Sequence, residues 1–371
     1  MSVELSAPPA AGAGSPTAGS AFDRTILRAS LTPLFIALGF ALVVQANPAV
    51  RGGEALSLVP GHLYRNVIIT IPAAGVALFV FLLVRLARGE TEKRPVALIR
   101  TMVRDRWRSD RLVSVVIPPI FCALLLGTFT TFKQRILPSA GFGMDQSLAA
   151  VDRFLFLGVD PWRLTHAIAS GPTATKVIDL AYAAWIVPML LMPLLSWLLP
   201  APLRVRILIG FALVWIVLGA VSAFLLPSAG PCFYAAFHAP YSGFTELNAR
   251  LAEQSAALAA DGGAGLLALQ GQAELLDAFQ SQTFIMVGGI SAMPSLHVAL
   301  ATLMALVGFR VHALVGRFFT GFALLISFGS VHLGWHYAMD GIVSVVSTIG
   351  LWWVAGRWTE KLLSNRAAEH P

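Results

Sequence analysis

The sequence predicts an all-α fold, a polytopic membrane helical bundle with about eight transmembrane helices. Three observations predict it. Hydrophobic residues fill 57% of the 371 positions and charged residues only 12%, giving a mean hydropathy of +0.74; a soluble domain of this length has no use for so much apolar surface. Apolar runs of about 20 residues recur, the length that crosses a ~30 Å hydrocarbon core at ~1.5 Å per residue. Lysines and arginines gather at the ends of these runs and not in one patch. The formal net charge of +7 is therefore read as membrane sidedness, and a nucleic-acid partner is not expected.

Taken in chain order, residues 1–22 are Ala, Pro, Gly and Ser with almost no charge, which predicts a disordered tail. They lack the basic start and short apolar core of a secretory signal. Residues 23–111 hold two spans, over 29–46 and 66–87, and a basic loop. Residues 112–358 hold six more, over 112–130, 177–199, 205–226, 293–311, 316–333 and 338–358, and 359–371 form a second tail. Pro72, Pro118, Pro119, Pro188 and Pro193 fall inside spans, where neighbouring helices can re-satisfy the freed backbone groups. Cys122, in a span, and Cys232, in a loop, do not suggest a disulfide framework.

Charge orients the bundle. The loop after the second span carries Arg85, Arg88, Lys93, Arg94, Arg100, Arg104, Arg106, Arg108 and Arg111, which assigns it to the cytoplasm. Alternation then puts both termini inside, together with Arg204, Arg206, Arg310, Arg317, Arg357, Lys361 and Arg366. Of the 26 basic residues, 18 fall inside and 8 outside. The abundance of Ala, Gly, Pro and Arg is compatible with a high-GC bacterium, and the expected location is a bacterial inner (plasma) membrane with the site on the periplasmic side. Two long segments are assigned outside, 131–176 and 227–290. Within the first, residues 144–164 alternate at helical spacing and predict an interfacial helix lying on the membrane. Within the second, two amphipathic helices are expected around the Asp261–Gly262–Gly263 turn, as a lid over the outer face or as a surface hairpin.

Ionisable residues at membrane depth are costly, so those at span ends are functional candidates. His297 opens the sixth span, His332 and His336 close the seventh, and Asp340 opens the eighth; the topology puts all four on the outer face, although none was used to set it. An Asp four residues after His336 can accept from one ring nitrogen, fix the tautomer and steady the cation that forms when the other nitrogen attacks. His297 can protonate a leaving oxygen. Gly288, Gly289 and Pro294 precede a helix start near Ser295, whose hydroxyl and unpaired N–H groups suit a phosphate. Lys133 and Arg135, at the outer end of the third span, are the nearest basic candidates for phosphate oxygens. The same four outer residues also allow a zinc site, and a lipid transporter or scaffold is a third class.

"AMPSLH" (292–297) followed by "HLGWHYAMD" (332–340) resembles the type-2 phosphatidic acid phosphatase superfamily. Pro-Ser-Leu-His, with "FK", "VDRFLFLGVDP" and "SAGPCFY" upstream, is similar to its inositol phosphorylceramide synthase (inositolphosphotransferase) branch. The resemblance spans roughly residues 112–358. It implies a six-helix catalytic core, no metal or cofactor, and a phosphohistidine mechanism with His336 as nucleophile, Asp340 as its partner and His297 as acid. It implies a phosphate shell of Ser295 and nearby backbone, with Lys133, Arg135 and His332 as further candidates. Where the phosphatase pattern carries an arginine, six residues before the nucleophile, this chain has Ser330. The expected partners are the bilayer and a phospholipid or other lipid phosphate. The expected activity is transfer of a phosphate-linked head group between lipids at the extracytoplasmic face. Hydrolysis of a lipid phosphate or prenyl diphosphate is the alternative. Oligomeric state has no signal in the sequence.

Overall fold

The computed structural model describes residues 18–87, 109–286 and 288–364. The tail over 1–17, most of the basic loop, and 365–371 lie outside the described residues. Every regular element among those described is helical. Among the described residues six stretches are long and apolar enough to cross a membrane: Thr25–Gln45, Val113–Ala140, Pro172–Leu194, Ala201–Leu225, Ala313–His332 and Ala338–Ser364.

These correspond to α1 (Ala18–Gln45), α3 (Ser109–Thr131), α6 and α7 (Pro172–Ala184 and Ile186–Leu194), α8 (Ala201–Leu213), α12 (Ala313–His332) and α13 (Ala338–Ser364). Two further predicted spans are helices as well. One is α2 (Val59–Ala87), which begins seven residues before the expected start at 66. The other is α11 (Leu296–Val311), whose 16 residues cover about 24 Å. α1 starts at Ala18, inside the segment expected to be a disordered tail.

The core is built on α11. It packs most extensively on α12, then on α13, while α1 and α2 lie against α3, and α8 joins α1 to α13. Small residues permit the close approaches. A Cβ on Gly219 would lie 2.8 Å from the Phe129 ring and 3.0 Å from Leu296. A larger side chain there would wedge apart the contacts that hold helices together in lipid. α3 continues as a π-turn (Phe132–Ile136) and a short 3₁₀ turn (Leu137–Ala140), which carries Lys133 and Arg135 past the regular helix.

The two long segments over 131–176 and 227–290 depart from expectation in one place. The single interfacial helix expected over 144–164 is two helices, α4 (Asp145–Leu155) and α5 (Pro161–Ile168). Leu157 and Gly158 between them have φ 55° and 90°, left-handed conformations that end a helix, and Pro161 starts the next at its first position. α5 packs on α12 and α4 on α13. The second of these segments forms the expected pair, α9 (Ser242–Ala260) and α10 (Leu267–Gln280), with Asp261 to Gly263 between them.

Candidate active site

Three chain segments converge on one cavity, and each is pinned by hydrogen bonds that hydropathy does not register. α12 ends at His332, and Gly334, with φ +75°, turns the chain so that His336 N–H bonds back to Ser330 O at 3.1 Å. α13 then begins at Ala338. Its first N–H groups, on Ala338 and Met339, donate to the Asp152 carboxylate at 2.7 and 2.9 Å. This places an acid from α4 on the positive end of α13. Burial nevertheless raises the Asp152 carboxyl to about 6, against the opposing pull of those two backbone bonds.

Asp145 ties down a second segment. Its carboxylate accepts from Ala229 N and Gly230 N, from His238 Nε2 at 3.0 Å and from Tyr337 Oη at 2.9 Å. Burial, aided by the Asp145 charge, pushes the Tyr337 hydroxyl far above its ordinary range, so it stays a donor. Ser228, beside this loop, accepts from Ala292 N with its carbonyl and from Met293 N with its hydroxyl, each at 2.9 Å. The Ala292 carbonyl is thereby fixed beside His336.

The geometry around His336 and His297 follows. His336 Nδ1 lies 2.9 Å from the Ala292 carbonyl and 3.3 Å from Asp340 Oδ2. Both partners are acceptors, so Nδ1 carries the proton and the lone pair of the neutral ring is on Nε2. Asp340 is fully buried, and the same oxygen accepts from Tyr337 N at 3.0 Å. The His297 ring stands 5.9 Å from the His336 ring, centroid to centroid, held between Tyr182 (4.6 Å) and Trp185 (4.3 Å). Both imidazoles line a cavity of about 600 Å³, within the range of small-molecule sites. Lys133 lines it too, and no acidic side chain pairs with it among the described residues. Gly289, at φ +89°, lets the 288–291 backbone pass Lys133; a Cβ there would sit 2.7 Å from the Lys133 side chain.

The other predicted phosphate ligands are placed elsewhere. Arg135 donates to Glu54 at 2.7 Å through Nε and lies over the Phe284 ring, and it does not line the cavity. His332 is fully buried and stacked 3.9 Å from the His166 ring, with Nε2 2.9 Å from the Thr175 hydroxyl. Burial lowers the His166 ring, which stays neutral, donates from Nε2 to the His332 carbonyl at 2.9 Å and accepts from Arg250 at Nδ1. His332 thus joins α5, α6 and α12 rather than facing the cavity. Ser295 caps α11, its Oγ accepting from Val298 N at 3.4 Å. It too lies behind the cavity wall, while Pro294, Leu296 and His297 form that wall. The zinc alternative finds no support in this arrangement: among the described residues no three His, Cys, Asp or Glu side chains are grouped to hold a metal ion.

The sequence model of the PAP2 superfamily matches residues 146–354, more than half of the chain. The chain belongs to the PAP2 superfamily. Lipid phosphatase or phosphotransferase activity is what membership of the PAP2 superfamily suggests. The matched stretch contains His297, His336, Asp340 and the capping Asp152, whereas Lys133 and the whole of α1, α2 and α3 precede it. No curated protein and no solved structure matches the chain.

His62 and Arg65, on α2, also line the cavity, and sequence reasoning did not single them out. Hydropathy places both outside the second span, as ordinary polar residues of an outer loop.

Proposed function

We propose that this PAP2 superfamily protein transfers a phosphate-linked head group from one lipid to another at the extracytoplasmic face, through a phosphohistidine on His336. The observation that carries the reading is the pairing of His336 Nδ1 with two acceptors, Ala292 O and Asp340 Oδ2, which leaves Nε2 as the nucleophilic nitrogen of a cavity-lining ring.

In the first step the Nε2 lone pair attacks phosphorus and the bond from phosphorus to the lipid alcohol breaks. His297 gives its proton to the departing oxygen. Asp340 faces the positive charge that the ring acquires, and Lys133 faces the phosphoryl oxygens. In the second step His297 takes the proton of an incoming hydroxyl, which attacks phosphorus as the P–N bond breaks. A lipid alcohol as acceptor gives transfer; water gives hydrolysis. The cavity wall is largely aromatic and aliphatic, with Phe129, Trp185, Met189 and Trp215, which favours a lipid alcohol over water and is the reason to prefer the inositol phosphorylceramide synthase-like reading. Phosphatase action on lipid phosphates or prenyl diphosphates differs only in that second step.

Purified protein is to be incubated with a phospholipid donor and a lipid alcohol acceptor, and products separated by mass spectrometry. The proposal expects a new phosphodiester lipid that disappears in His336→Ala. Full activity in that variant sinks the assignment. Free phosphate or head-group phosphate as the sole product moves the reading to hydrolysis.

A further inference from the structure

The cavity has a second cationic end. His62 and Arg65 lie on α2, which starts at Val59, so Arg65 is six residues, about 9 Å, into the helix. Arg65 Nη2 is 2.6 Å from His62 Nδ1. His62 is buried, and neither its Nε2 nor Arg65 Nε has a hydrogen-bond partner. No carboxylate pairs with either residue among the described residues. A guanidinium lining a cavity in an apolar helical bundle, with no carboxylate paired to it among the described residues, needs an anion or water to offset its desolvation.

Its distance from the reacting end follows from packing. Gly127 of α3 lies against Leu58 and Val59, and Asn66 Nδ2 donates to Pro119 O at 3.1 Å. The helices run antiparallel, so the His62/Arg65 pair is level with a point on α3 about 15–20 Å below Lys133. Leu126, Phe129 and Thr130 line the interval on the same face of α3. None of these residues lies in the stretch matched to the superfamily; they are supplied by α2 and α3, which precede it.

We propose that His62 and Arg65 form a second phosphate-binding subsite, filled while another phosphate occupies the Lys133/His336 end. The proposal rests on the reading of the cavity as a lipid phosphate site. Its occupant is a phosphate monoester or diester, either a second phosphate on one lipid or the phosphate of a second lipid. A charge-assisted contact to Arg65 contributes about tenfold or more in affinity.

The test is native mass spectrometry of the detergent-solubilised full chain with a short-chain monophosphate lipid and with a short-chain lipid carrying two phosphates. Wild type, Arg65→Gln, Arg65→Lys and His62→Gln are compared with Lys133→Gln. Two outcomes support the subsite: two monophosphate lipids bind, the weaker lost in Arg65→Gln, or one bisphosphate lipid binds at least tenfold tighter than the monophosphate, the advantage lost in Arg65→Gln. The first identifies a second lipid and the second a second phosphate. Arg65→Lys should retain part of the effect. A single monophosphate lipid in wild type with no gain for the bisphosphate overturns the subsite without needing any variant, and leaves the active-site reading intact. If Lys133→Gln leaves all lipid binding unchanged, the reading of the reacting end fails instead, and the proposal fails with it.

Discussion

Replacing Asp340 by asparagine tests the electrostatic part of the site with almost no change of shape. Asp340 Oδ2 accepts from His336 Nδ1 at 3.3 Å and from Tyr337 N at 3.0 Å, while Oδ1 has no partner. In Asp340→Asn the amide can put its oxygen where Oδ2 stands and its NH₂ where Oδ1 stands, so both hydrogen bonds survive. The Ala292 carbonyl, 2.9 Å from Nδ1, still holds the tautomer. What is lost is the negative charge beside a ring that becomes cationic when Nε2 is phosphorylated. A hydrogen bond to a charged group and a unit charge about 4 Å away at an effective dielectric near 20 together set the loss at about 2–4 kcal/mol. This corresponds to a fall of roughly 30- to 1,000-fold in the phosphorylation step. Rapid-quench single-turnover kinetics measures that step, and a thermal melt verifies that the variant is folded. Turnover within threefold of wild type would refute the assignment of Asp340 as the stabiliser of the cationic ring. A loss as deep as that of His336→Ala would refute the tautomer-holding role given to Ala292.

Lys133→Gln should lower kcat/KM for a lipid phosphate by about 10- to 100-fold, the effect of removing one charge-assisted contact, with no change in melting temperature; steady-state kinetics at several substrate concentrations measures it. Gly289→Ala places a Cβ 2.7 Å from the Lys133 side chain at φ +89° and costs about 1–2 kcal/mol of strain; activity should fall with the melting temperature, unlike in Lys133→Gln. The Asp152 carboxyl is held at about 6, above its ordinary 3.8. Its contribution to stability is therefore complete below about 3.8 and is lost as pH rises through 6. Melting temperature should show a component that declines over that interval, and Asp152→Asn should abolish it. Turnover should be insensitive to metal chelators, as a histidine nucleophile with a histidine acid requires; complete loss in EDTA with recovery on added zinc would overturn the phosphohistidine route.

The bundle was legible because span length reports directly on lipid thickness. The grouping of His297, His336 and Asp340 was legible for a related reason. Each stands at or beside a helix end, and alternation alone brings those ends to one face of the bundle. The shell was harder to read. Lys133 and Arg135 are two residues apart and look equivalent, yet Arg135 is taken up by Glu54, a partner 81 positions away that no local pattern marks. His332 and His336 share a four-residue spacing, but the left-handed Gly334 between them breaks the helix and turns one ring into the packed interior and the other into the cavity. Asp145 and Asp152 look like caps or ion-pair partners; Asp152 does cap α13, and Asp145 ties Tyr337 to the 229–230 backbone. Arg65 and His62 were hidden because polar residues mark the end of an apolar run in a hydropathy profile. Here they lie within the helix, because they face a cavity and not lipid.

The most direct test is acid-free quenching of the enzyme during turnover of a ³²P-labelled lipid substrate, followed by peptide mapping under alkaline conditions, in which phosphohistidine survives. The mechanism predicts label on the peptide carrying His336, alkali-stable, acid-labile and absent from His336→Ala. Steady turnover with label on another residue, or with none trapped even when acceptor is withheld, would contradict it.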